Sequence, residues 1–231
     1  MIIMNLKDIF YLNFIEDDRW RYLFDGLWVT LAITLGAAFI GIIIGFLVAA
    51  IRTSYDKTGK LKVLNAICKF YLTITRGTPM LVQLLIIYFV ILAPLQLNSV
   101  VVAIVAFGIN SGAYVAEIVR SGIMSIDSGQ FEASRSLGMT YGQTMINVIL
   151  PQAFKNILPA LLNEIIALLK ETSIAGYIAI QDLTKGGYII LGRTFSAFMP
   201  LIAVALIYLV LVLGMTKFTS VIERRLRASD R

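Results

Sequence analysis

The side chains in this sequence that could do chemistry are a few charged and amide groups set in long apolar surroundings. Glu164 and Asn163 stand side by side within one apolar stretch, and Lys170 and Glu171 close it. Asn110, Tyr114, Glu117 and Ser121 recur at steps of four, three and four, so on a helix they share a face. Asn156, Asn163 and Lys170 are seven apart, as are Glu164 and Glu171, which gathers them into one polar wedge. Covalent chemistry finds no equipment here. The chain has no histidine and a single cysteine, Cys68, which excludes an imidazole base, a disulfide framework within the chain and a histidine-containing zinc site. What remains is recognition of a polar solute through hydrogen bonds and charge.

The elements that must carry these groups are membrane spans. Hydrophobic residues make up 58% of the chain and the mean hydropathy is +0.84, whereas soluble domains have roughly 45–50% apolar residues. No Asp, Glu, Lys or Arg occurs in Gly26–Ile51 or in Thr194–Thr216, nor anywhere between Arg76 and Glu117. A bilayer core of about 30 Å needs roughly 20 apolar helical residues, so each run is long enough to cross. The runs lack period-2 alternation, which argues against strands, and an open sheet cannot satisfy its backbone in lipid. The expected fold is all-α and polytopic, one transmembrane domain with five spans over about 23–51, 63–92, 100–120, 154–179 and 195–221. Ala93-Pro94-Leu95-Gln96-Leu97-Asn98-Ser99 is the turn that divides the long middle run. The first helix is read as retained rather than as a signal peptide, because Asp8, Glu16, Asp17 and Asp18 give the wrong charge before it.

Charge sets the orientation. Arg52, Lys57, Lys60 and Lys62 follow the first span and Arg224, Arg225, Arg227 and Arg231 follow the last, while the N-terminal segment has more acid than base. Five crossings with the N-terminus outside place both basic segments, and the polar stretch 121–152, in the cytoplasm. Trp20, Tyr22 and Trp28 read as an outer aromatic belt, and Asp25 as a water-facing end or a gate residue. Gly41-x3-Gly45 and Gly108-x3-Gly112 read as helix-packing positions. Gly77-Thr78-Pro79 interrupts the second span, where Pro79 removes a donor and disfavours helical geometry at Thr78. The break is either a plain kink or a functional discontinuity.

The 121–152 stretch is long enough to fold into a feature of its own. It holds Glu132-Ala133-Ser134, then Leu137-Gly138, then Val148-x-Leu150-Pro151. This spacing resembles the EAA loop of the permease subunits of bacterial ABC importers, with Ser134 where a second Ala is usual and Val148 where Ile is usual. Gly26–Leu31, Arg76–Leu84, Ser111–Arg120, Leu158–Glu164 and Leu169–Ser173 resemble the polar amino acid branch of that family, over about residues 25 to 185.

The resemblance implies a type I-like ABC importer transmembrane domain in a bacterial cell membrane, translocating amino acids. It implies that Glu132, Ala133, Ser134, Leu137, Gly138, Leu150 and Pro151 couple to an ATPase dimer, and that an extracytoplasmic binding protein and a second permease copy or paralogue complete the assembly. No Gly-x4-Gly-Lys-Ser/Thr phosphate loop occurs; Thr58-Gly59-Lys60-Leu61 lacks both the earlier Gly and the hydroxyl after Lys. The chain is therefore read as a transport subunit and not an enzyme, without a cofactor of its own, with ATP and Mg on the partner ATPase. The substrate residues expected are Glu164, Asn163, Gly77, Thr78, Asn110, Tyr114 and Glu117, with Lys170, Glu171 and Asp25 as gate or ion-pair groups. Structural alternatives stand beside them: Glu117 pairing with Arg120 or Arg76, Lys170 with Glu171, and Glu164 with Lys170 or Asn163. Glu164 leans the substrate toward arginine, lysine or histidine, although it could equally hold the α-ammonium common to every amino acid. An ATP-independent secondary transporter or channel is the alternative; it predicts an internal repeat, and the two halves show none.

Overall fold

A computed structural model describes residues 5–228 of the 231-residue chain. Every regular element among them is helical. A short α1, Leu6–Phe10, leads to α2, Trp20–Thr58; α3, Lys62–Gly77, and α4, Met80–Ile86, follow, and then α5, Ser99–Met124. Two small helices come next, α6, Ser128–Ser136, and α7, Tyr141–Thr144. The chain then passes through α8, Leu150–Glu171, α9, Leu183–Thr194, and α10, Phe198–Ala228.

The helices α2 and α5 run parallel. A Cβ on Gly36 would meet Ile104, one on Gly41 would meet Ser111, and one on Gly45 would meet Val115 and the Ala116 amide. Further along the same pair, Arg52 bonds Glu117 and Arg120 bonds Asp56, so both chains descend together. Parallel neighbours need a connection that climbs back, and α3 with α4 supplies it. The pair α3–α4 is therefore a crossing, bent by 112° at its break, and it joins four unbroken membrane-length helices to make five. The descending α10 ends at the same end as α6, opposite the start of α2.

Small residues make the α2–α5 contact. A Cβ on Gly108 or Gly112 would come within 2.7–2.8 Å of Ile40 or Ile44, and one on Gly45 would come within 2.3 Å of Val115 from the other side. Backbones this near gain packing that larger side chains would prevent, the usual way helices associate without a hydrophobic drive in lipid. Around the seam Ile33, Ala37, Leu84, Ala103, Phe107 and Leu168 form one core, and Val115, Val119, Ile149, Ala153 and Ile157 form a second near α6. The outer faces are apolar: Phe198, Leu206, Leu209, Val210 and Leu213 of α10 are all exposed.

Three features differ from the expected layout. The 121–152 segment is mostly helical: α5 continues to Met124, and α7 winds through a π turn, Met145–Ile149, directly into α8, so that helix starts at Tyr141 rather than near Phe154. The second crossing, whose break the sequence leaves open between a plain kink and a discontinuity, bends by 112°. Tyr71 donates to the Ile109 carbonyl (2.5 Å) while Arg76, further along the chain, reaches back to Glu117. So α3 lies across the α2–α5 pair, and α4 makes the climb. Finally α9 stands between α8 and α10, where no helix is expected. It packs on the start of α2 so closely that a Cβ on Gly186 would lie 2.3 Å from the Tyr22 carbonyl oxygen, and one on Gly26 would meet the Asp182 carbonyl. Asp182 is fully buried and caps α9 by accepting from the Thr184 and Lys185 amides. Burial raises its carboxyl above the ordinary aspartate range, an effect the amide donors oppose.

Gly45→Leu is expected to destabilise the protein by about 1–3 kcal/mol, the overpacking cost, because Val115 and the Ala116 backbone leave no room. Gly214→Leu, where nothing lies near the added Cβ, is expected to leave the thermal midpoint in detergent unchanged.

Candidate functional site

Polar groups inside the bundle form two short relays that meet on α5. The first begins at the α3–α4 break. Gln83, one turn into α4, turns its amide back to donate to the Thr75 carbonyl (2.7 Å), the Thr78 carbonyl (3.0 Å) and Thr78 Oγ1 (2.8 Å). Pro79 ends α3 in extended geometry, which strands the last carbonyls of that helix. The Gln83 amide satisfies them where water is scarce. Its own oxygen accepts from Asn110 Nδ2 at 3.0 Å. The second relay starts one residue on, where buried Ser111 donates to Glu164 Oε1 of α8 at 2.9 Å. Gly41 of α2 sits directly behind Ser111 and leaves room for it.

Glu164 is half-buried, and its neighbour Asn163 is exposed, as are Lys170 and Glu171. This polar exposed face of α8 contrasts with the apolar face of α10. Polar groups at such depth face a cavity or a protein partner rather than hydrocarbon. No ion pair joins Lys170 to Glu171 or Glu164 among the described residues; Glu164 takes Ser111 instead.

The structure thus draws Asn110, Thr78 and Glu164 toward one region of α5, with Gly77 exposed at the break. It places Glu117 elsewhere. Glu117 Oε1 lies 3.0 Å from Arg52 and 3.8 Å from Arg76, and its Oε2 lies 3.8 Å from Arg120, which also holds Asp56 at 3.3 Å. This ion cluster locks α2, α3 and α5 at the α6 end. Tyr114 lies between the two regions, exposed, with the Arg76 guanidinium 5.8 Å from its ring centre. Asp25 is exposed at the far end, beside the α2–α9 contact. Gln83, Ser111 and Arg52 were not singled out by spacing. Gln83 is the lone amide in α4, a signal that was available. Ser111 falls one residue off the Asn110–Tyr114–Glu117 face, and Arg52 reads only as a loop charge.

A third feature projects from the bundle end. Asp127 caps α6 by accepting from the Gly129 amide (2.7 Å), and Thr140 caps α7 through a reciprocal pair with Gln143. Between them Gly138 adopts φ +83, so its amide and that of Met139 bond back to the Arg135 and Ser134 carbonyls. Left-handed backbone of this kind closes a helix end and suits glycine. Glu132, Ala133, Leu137 and Gly138 stand on the exposed rim, and Leu137 is 84% exposed. Ser134 instead turns inward and bonds the Gln130 carbonyl. Leu150 and Pro151 are exposed at the start of α8.

Comparison with known proteins places this architecture. The family of binding-protein-dependent transport system inner membrane components matches residues 41–228. The arginine transport system permease protein ArtQ of Bacillus subtilis is 41% identical over 90% of this chain and 94% of its own. A putative glutamine transport system permease protein GlnP of Rickettsia typhi is 37% identical over 89% and 93%. A crystal structure of an amino acid ABC transporter with histidines superposes with a TM-score of 0.84 at 41% identity, covering 97% of this chain and all of that one. The inward-facing MetNI methionine ABC transporter, at 24% identity and a TM-score of 0.77, shares the fold. The fold is that of the type I ABC importer transmembrane domains.

Gln83→Ala removes every contact of the first relay and leaves the Thr75 carbonyl and the Asn110 amide unmatched. It is expected to cost about 1–3 kcal/mol, against a smaller loss for Thr78→Val, which keeps the Thr75 bond. Denaturation of the two variants in the same detergent checks the order.

Proposed function

The chain belongs to the family of binding-protein-dependent transport system inner membrane components, as an amino acid ABC importer permease, and on that premise we propose that it favours amino acids with a cationic side chain. Arginine, lysine and histidine are the candidates. One observation carries this: a carboxylate, Glu164, is held by Ser111 well inside the span, with the exposed amide of Asn163 next to it. An acid at that depth is costly unless it has a cationic or hydrogen-bonding partner. A similar permease named for arginine and a similar transporter solved with histidines support the reading, while the relatives named for glutamine mark its competitor.

In this reading Glu164 and Asn163 face the substrate's cationic end, and Asn110 and Tyr114 border the route. The α-carboxylate meets backbone donors beyond the Gly77-Thr78-Pro79 break, where the Gln83 amide already occupies the carbonyls. Lys170, Glu171 and Asp25 serve as gate groups toward the outside. Glu117, surrounded by three arginines, serves as the latch below the route.

The chain itself would do no ATP chemistry. A separate ATPase dimer would bind ATP and Mg, and the rim of Glu132, Ala133, Leu137 and Gly138, with Ser134, Leu150 and Pro151 behind it, would follow its closure. An apolar side chain as exposed as Leu137 on a polar tip is what a protein groove would cover. A second permease copy or paralogue would cover the polar face of α8, and an extracytoplasmic binding protein would deliver substrate. The α6 end would face the cytoplasm of a bacterium, with the N-terminus outside: the basic turn after α2 and the end of α10 lie at that end, and the acids Glu16, Asp17 and Asp18 at the other.

In proteoliposomes of the assembled complex, Glu164→Gln is expected to lower arginine uptake about tenfold or more and to narrow its advantage over glutamine. Unchanged uptake and selectivity would remove Glu164 from the substrate site. Gly138→Asp is expected to leave the protein folded in the membrane yet abolish uptake; survival of both ATPase assembly and uptake would refute the coupling role.

A further inference from the structure

The charges at the α6 end do not balance, and the imbalance lines a cavity. A pocket of about 460 Å³ lies between α2, α3 and α5, walled by Arg52, Lys69, Thr73, Arg76 and Glu117, with Leu72 and Gly77 beside them. Arg120 and Asp56 lie beside it, so among these described side chains four cations face two carboxylates. The carboxylates are committed: Glu117 is shared by Arg52, Arg76 and Arg120, and Asp56 takes Arg120. Donors are left over. Among the described residues, Arg52 Nε is buried with no hydrogen-bond partner, the Lys69 ammonium has the Tyr55 ring, 6.0 Å away, as its one contact, and Arg76 touches Glu117 at 3.8 Å.

The depth and the neighbouring surface say what kind of anion fits. Arg52 is the first charged residue after the uncharged run Gly26–Ile51, so it stands at the edge of the hydrocarbon, where headgroup phosphates lie. On α3 the positions Lys69, Thr73 and Arg76 share the face that lines the pocket, and Val63, Ile67, Phe70 and Ile74 on the adjoining face are exposed and apolar. A soluble anion would use only the first surface. An amphiphile would use both.

We propose that this pocket binds the phosphate headgroup of an anionic phospholipid, its acyl chains lying along the apolar face of α3. Guanidinium donors from Arg52 and Arg76 match phosphate oxygens, Lys69 adds a point charge, and basic pockets between spans commonly hold such headgroups. The bound lipid would brace α3 against the α2–α5 pair just before the chain bends into α4. This inference stands apart from the substrate proposal, because none of its three cations belongs to the Glu164 site.

The test uses the purified permease–ATPase complex in detergent, mixed with phosphatidylglycerol or phosphatidylcholine and weighed intact by native mass spectrometry. The wild type is expected to retain phosphatidylglycerol at least about fivefold over phosphatidylcholine. Lys69→Gln is expected to erase about fivefold of that preference, the worth of one charge near the surface. Lys69→Arg should keep it, as should Lys185→Gln, an exposed lysine at the opposite end. Lys69 has no carboxylate partner among the described residues, so its loss leaves the fold intact, and an unchanged melting point checks this. Equal retention of the two lipids by the wild type, or equal behaviour of Lys69→Gln and Lys185→Gln, would overturn the proposal. Displacement of phosphatidylglycerol by millimolar inorganic phosphate would also overturn it, by assigning the pocket to a soluble anion.

Discussion

The backbones of α2 and α5 approach so closely that side chains larger than hydrogen are refused at Gly45, Gly108 and Gly112 and would be tight at Gly41, and most of the remaining geometry follows from that contact. Because the two helices run parallel, the chain between them must return across the membrane, which makes the bent α3–α4 pair a crossing. Because Gly41 leaves space behind Ser111, the Ser111 hydroxyl can turn toward α8 and meet Glu164. Below the seam, the same pair brings Arg52 to Glu117 and Asp56 to Arg120. A small-residue contact thus sets the position of a polar relay above and an ion cluster below.

Lipid supplies no hydrogen bonds, so each interruption of a helix must be repaired by the protein. The break at Thr78 and Pro79 is repaired by two side chains: the Thr78 hydroxyl donates to the Ile74 carbonyl, and Gln83 ties the end of α3 to the start of α4 and then to Asn110. That arrangement fixes a sharp bend without leaving it a free hinge. The exposed polar face of α8 is different, since nothing among the described residues covers Asn163, Lys170 and Glu171. A single permease subunit is in this sense an incomplete surface, and its family works within multi-subunit ABC assemblies.

Long uncharged runs make the all-α membrane architecture legible in the sequence, and the spacing of the Glu132–Pro151 loop points to the family. The glycine pairs Gly41/Gly45 and Gly108/Gly112 read as packing positions and are found facing one another's helices. Other parts depended on tertiary contact. The helix α9 is short and carries two adjacent glycines, Gly186 and Gly187, which count against a helix locally; they are used where α2 and α10 press against it. The 112° bend could not be inferred from Pro79, which fixes only that a break occurs. Glu117 shared a face with Asn110 and Tyr114, yet periodicity is blind to Arg52, sixty-five residues earlier in the chain, which claims its carboxylate. Ser111 was missed for the same reason, since its partner lies on another helix.

We propose that the polar groups around Glu164 line a water-accessible route that the substrate occupies. Cys68 is the chain's single cysteine, so a Cys68→Ala background carrying Asn163→Cys offers one thiol beside Glu164. Its rate of modification by a charged, membrane-impermeant thiol reagent, measured in the reconstituted complex with and without saturating arginine, tests the claim directly. Modification from the aqueous phase, slowed by arginine, is expected. A thiol that the reagent never reaches, or one whose labelling no amino acid alters, would contradict it.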